Sequence, residues 1–88
     1  MKNKFDSLFW EYVLETCDNC RNRDNYGMLF NNSYMPNSLM LYASDNKVRV
    51  DWNKLIVKKD GKPLFNIHLR YGKKGILKPR KSDFELIA

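Results

Sequence analysis

The chain has little of what marks several large classes of protein. It holds two Cys in 88 residues, so it is not a disulfide-stapled scaffold. No apolar run approaches the ~20 residues that cross a bilayer. The basic start Met1-Lys2-Asn3-Lys4 leads into Phe5-Asp6-Ser7-Leu8-Phe9-Trp10-Glu11. Acids interrupt the place where a signal peptide needs an apolar core, so a cytoplasmic location without membrane attachment is expected. The triplet Asn31-Asn32-Ser33 is formally a glycosylation sequon, but it has no meaning without secretion. Only four Gly are present, and Gly72-Lys73-Lys74-Gly75 has neither the spacing nor the following helix of a phosphate-binding loop. The carboxylates Asp51, Asp60 and Asp83 are scattered and form no metal-dependent nuclease signature. Ala occurs twice, at Ala43 and Ala88, while Asn and Lys together account for 21 residues. That bias is typical of translation from an AT-rich genome and suggests a low-GC bacterium, its phage or a mobile element.

What is there is a soluble-protein balance with one unusual half. Hydrophobic residues make up 43% and charged residues 30%, a composition that folds. At this length one small domain is expected over 1–88. Its two Trp, five Tyr and five Phe give large buried area per residue. The net charge is +6, and it is unevenly placed. Residues 1–44 carry four bases and five acids, whereas residues 45–88 carry twelve bases and five acids, a net of +7. Between Lys47 and Lys81 those twelve bases face only Asp51 and Asp60. A domain with one strongly positive half is steered toward polyanions.

Phe5, Leu8, Phe9, Tyr12 and Val13 follow the spacing of one apolar helix face. A helix over 1–20 is predicted, with Asn3 as cap, Asp6 in the first turn and an end between Thr16 and Arg21. Residues 21–38 are dense in Asn, Asp, Ser, Gly and Pro and read as a loop-rich connection with Met28-Leu29-Phe30 as a short strand. Residues 39–88 read as a basic β-sheet region. Leu39-Met40-Leu41-Tyr42 is a strand-like apolar run before a turn at Ser44-Asp45-Asn46. Val48, Val50 and Trp52 alternate with Arg49 and Asp51. Asp60-Gly61 marks a two-residue hairpin, since both positions of that turn need positive φ. Lys59 then faces Lys62 and Ile56 faces Phe65. Phe65, Ile67, Leu69 and Tyr71 point inward, and Leu64, Asn66, His68 and Arg70 outward. Gly72 to Gly75 is a second turn, and the tail after Ser82-Asp83 forms a short helix or an edge strand. The expected architecture is α+β: an N-terminal amphipathic helix packed on a four- or five-stranded antiparallel sheet.

Three constellations invite chemistry. Cys17 and Cys20 form a C-x2-C pair, and His68 is the only His. Zinc takes four ligands and only three such residues exist, so no metal and no cofactor is expected; the cysteines read as reduced thiols near a helix end. Asn66, His68 and Arg70 share a strand face, with Lys58 or Lys73 near, a set that suits a toxin-like ribonuclease. It lacks a carboxylate partner at fixed spacing. The stretch from Arg70 to Lys81 holds six bases, no acid, Tyr71 and two Gly. This is a basic hairpin arm of the kind that lies on a phosphate backbone. The leading expectation is a non-enzymatic nucleic-acid-binding protein, DNA or RNA, with no catalytic residue. Its contacts are Arg49, Lys58, Arg70, Lys73, Lys74, Lys78, Arg80 and Lys81, and Trp52 and Tyr71 fit equally as stacking groups or as core. The alternative is a phage or mobile-element protein that inhibits a host nuclease or defence complex by protein–protein binding. The expected partner is thus a nucleic acid or a nucleoprotein complex, and the chain itself a monomer or an edge-strand homodimer.

Overall fold

The computed structural model describes residues 6–26 and 35–87. Helix α1 runs Ser7–Tyr26 and α2 runs Asn37–Asn46; strands follow at β1 Val48–Asp51, β2 Ile56–Lys59, β3 Lys62–Ile67, β4 Tyr71–Gly72, β5 Gly75–Ile76 and β6 Phe84–Leu86. Four strands form one antiparallel sheet in the order β1-β2-β3-β6, and β4-β5 make a separate small hairpin. The fold is α+β, as the sequence indicated. Among the described residues no helix is long and apolar enough to cross a membrane.

Helix α1 starts where a cap starts it. The Phe9 N–H donates to Asp6 Oδ1 at 3.0 Å, which makes Asp6 the N-cap rather than a first-turn residue. The predicted cap Asn3, the predicted core residue Phe5 and the predicted strand Met28–Phe30 lie outside the described residues. The helix does not stop by Arg21 but continues to Tyr26. Its buried stripe runs Phe9, Val13, Cys17, Cys20, so the two cysteines extend the apolar face as small hydrophobes. The polar last turns stay helical because they are held from outside, as described below.

The segment predicted as the first strand of the basic region is helix α2. Pro36 precedes it, and Leu39 and Ala43 are buried one turn apart. An apolar run of four residues does not distinguish strand from helix; here the one-turn spacing of the two buried residues decides. Ser44-Asp45-Asn46, predicted as a turn, is the last turn of that helix, and Lys47 ends it in the left-handed conformation. The Lys59 ammonium donates to the Asn46 carbonyl at 3.0 Å and neutralises the helix C-terminus.

The Asp60-Gly61 hairpin forms as expected, with φ of 54° and 80° and Lys59 opposite Lys62. A bulge between Val57 and Lys58 then shifts the register, so Val57 rather than Ile56 faces Phe65. Strand β3 ends at Ile67, short of the predicted Tyr71, and Tyr71 is 69% exposed instead of inward. The tail resolves as a 3-10 turn at Lys81–Asp83 leading into β6, which pairs with β3. Val48, Val57, Phe65, Ile67 and Phe84 face Phe9, Val13 and Cys17 of α1. Both helices contact the sheet side of β1, while Arg49, Asn66, His68 and Glu85 stand exposed.

Candidate nucleic-acid interface

The eight predicted contacts divide between two parts of the fold. Arg49 and Lys58 are cross-strand partners on β1 and β2, so they share a face. Arg49 is exposed, and Lys58 Nζ lies 3.9 Å from Asp51 Oδ2. The other six follow β3. Lys73 and Lys74 are the exposed two-residue tip of the β4-β5 hairpin. Lys78, Arg80 and Lys81 are exposed on the segment that leads to β6, the sheet edge opposite β1.

Arg70 is committed to the fold. Its Nε donates to both carboxylate oxygens of Asp83 at 3.0 Å, and its Nη2 donates to the Lys78 carbonyl at 2.8 Å. The Arg80 N–H donates to the same carboxylate at 2.9 Å, with the Arg80 guanidinium 3.8 Å away. Burial alone raises the Asp83 carboxyl. The Arg80 N–H, the Arg70 hydrogen bonds and both guanidinium charges outweigh burial and hold it below the usual carboxylate range. This latch fixes where the basic segment leaves the sheet. Lys81 Nζ stands 5.8 Å from the Trp10 ring centroid, a cation–π distance.

The last turns of α1 stand between the two basic groups. On one side the Asn25 carboxamide acts as a strand partner: its Oδ1 accepts from the Ile76 N–H at 2.8 Å and its Nδ2 donates to the Ile76 carbonyl at 2.9 Å. Arg21, paired with Asp18 at 2.7 Å, adds a bond to that carbonyl. Gly75 is required here, since its φ is +116° and a β-carbon would run into the Asn25 carboxamide. On the other side Asp24 Oδ2 accepts from the Trp52 indole N–H at 2.6 Å. These bonds are why an Asn- and Asp-rich segment remains helical against its propensity.

The Cys17 side chain is fully buried, and burial, then Cys20 and Asp18, pushes its thiol up to about 12. Such a thiol is inert rather than nucleophilic. No group of three or more His, Cys, Asp or Glu side chains converges among the described residues.

Two site residues escaped the sequence reading. Glu85 Oε1 lies 2.8 Å from His68 Nε2, a partner set by the pairing of β6 with β3. Only the choice of strand over helix for the tail could have found it. Arg23 joins Arg49 and Lys58 around one cleft, and it carried no signal in a segment read as loop. Comparison with protein-family models, curated proteins and solved structures returns no significant match, so the functional reading rests on this geometry.

Proposed function

We propose that this protein binds nucleic acid without cleaving it, chiefly through phosphate contacts. The supporting observation is the exposed tip Lys73-Lys74 followed by exposed Lys78, Arg80 and Lys81, with no acid between Tyr71 and Ser82. Lysines that merely block edge-to-edge sheet pairing would sit on or beside β1 or β6, whereas Lys73 and Lys74 tip a separate hairpin. The reading is tested by titrating binding to duplex DNA, single strands and RNA against salt. Each phosphate contact on duplex DNA contributes a slope of ~−0.9 in log K against log salt. The triple variant Lys73→Ala/Lys74→Ala/Lys78→Ala is expected to bind all sequences more weakly and to flatten the slope by roughly two to three units. Its fold is expected to survive, because these side chains are exposed. Absence of salt-sensitive binding by the wild type at physiological ionic strength would defeat the reading. An inhibitor of a host nuclease or defence complex, docking the same lysines on an acidic surface, would then lead.

A second reading, a ribonuclease acting through His68, draws on the His68–Glu85 contact at 2.8 Å. A carboxylate that orients an imidazole is a working part of general-base catalysis. Both side chains are more than half exposed, as in an ordinary surface contact. Incubation with RNA separates the two: this reading expects cleavage that His68→Ala abolishes and Glu85→Gln reduces, whereas intact RNA eliminates it.

A further inference from the structure

We infer that the cleft beside β1 seats an unpaired nucleotide of a single strand, its base against Trp52 and its phosphates on Arg49, Lys58 and Arg23. This rests on the nucleic-acid reading and deepens it by naming the form of nucleic acid and a second contact surface.

The cleft has a volume of about 770 Å³ and is walled by Arg23 and Asp24 of α1, Arg49 and Asp51 of β1, Lys58 of β2, and Trp52. That is within the ~300–1,000 Å³ of small-ligand sites. A second hollow of about 520 Å³ shares Arg49, Val50 and Gly61 with it and adds Lys47. The two together make a trough along β1, whose four residues span about 13 Å at ~3.3 Å each. A trough that continues past its cleft suits a polymer better than a free mononucleotide.

The charges favour an anion. Four cations, Lys47, Arg23, Arg49 and Lys58, line the trough with two carboxylates. Both carboxylates are already engaged. Asp24 accepts from the Trp52 indole at 2.6 Å, and Asp51 accepts from the Lys54 N–H at 3.2 Å with Lys58 at 3.9 Å. Arg49 is exposed, and no side-chain hydrogen bond or ion pair holds it among the described residues.

Trp52 decides between ligands. Its N–H edge is held by Asp24 and its ring is half-buried, so a base can stack on it without first ordering it. In a duplex the base faces are already stacked on one another, so a cleft with an aromatic wall selects unpaired bases. An acidic peptide would satisfy the cations but has no use for the indole.

The test follows tryptophan emission while short oligothymidylate, a duplex and polyglutamate are titrated into the intact chain. Oligothymidylate is expected to quench the emission, and Trp52→Phe to remove most of the change. Trp52→Ala is expected to weaken single-strand binding roughly 5- to 150-fold, the equivalent of ~1–3 kcal/mol for one stacked base. Arg49→Glu, at an exposed position where folding is not at stake, is expected to weaken single-strand binding more strongly than duplex binding, whose chief contacts are on the Lys73-Lys74 arm. Salt-sensitive binding that neither Trp52→Ala nor Arg49→Glu alters would overturn this inference and leave the nucleic-acid reading standing. So would equal quenching by polyglutamate, which assigns the trough to acidic peptides. No binding to any nucleic acid would defeat both.

Discussion

Replacing Phe65 with Ala is expected to cost about 3–5 kcal/mol, read as the loss of unfolding free energy in a urea titration. The ring is 6% exposed and lies where every layer of the fold meets. Its centroid is 6.1 Å from Phe9, 5.4 Å from Trp10 and 6.2 Å from Phe84. Its strand neighbours are Val57 on β2 and Leu86 on β6. Truncation therefore opens a cavity walled by rigid rings from a helix and one strand, and such walls collapse poorly. Domains have only about 5–15 kcal/mol in total, so the variant is expected to sit near the edge of folding. Leu86→Ala provides the contrast: at 56% exposure the same chemistry should cost well under ~1 kcal/mol. A Phe65→Ala variant as stable as Leu86→Ala would place the core elsewhere.

Replacing Asp83 with Ala is expected to cost roughly 2–4 kcal/mol, because it strips charge-assisted bonds from Arg70 and leaves the Arg80 N–H without its acceptor. The pH dependence has a definite sign. The folded carboxyl titrates below its ordinary value, and the unfolded chain releases that proton near pH ~3.9. The latch therefore contributes in full above about pH 4 and is lost as pH falls through the folded value. Urea midpoints of the wild type should drop over that acid range, and those of Asp83→Asn should drop less. Equal acid sensitivity in both proteins would remove Asp83 as the cause.

How far the sequence carried depended on the range of the interactions involved. Asp60-Gly61 announced its hairpin because the turn needs positive φ at both residues, a local demand that no distant contact alters. Phe65 and Ile67 were placed inward by the same two-residue logic, and they are buried. The register slipped beyond the hairpin because the bulge at Val57/Lys58 has no local marker there. Leu39–Tyr42 reads as strand in sequence because four apolar residues fit either period, and only the packing of α2 against α1 selects the helix. The end of α1 was hidden twice. Cys17 and Cys20 have the spacing of a ligand pair but are core, and Asn25, in a segment dense in turn formers, is a strand partner to Ile76. Of the candidate site, the charge of the arm was legible at once. The retirement of Arg70 into the Asp83 latch, the pairing of His68 with Glu85 and the meeting of Arg23 with Arg49 all required the tertiary fold.

The carboxamide of Asn25 gives the small hairpin a mechanical character of its own. Two strands of two residues each do not hold together in water alone. What keeps β4-β5 in place is a side chain standing in for a third strand. The lysine tip is thus a limb fastened in two places, to the last turns of a helix through Asn25 and Arg21 and at its base through Arg70. With strands of two residues each, limb and helix end are expected to open before the four-stranded sheet.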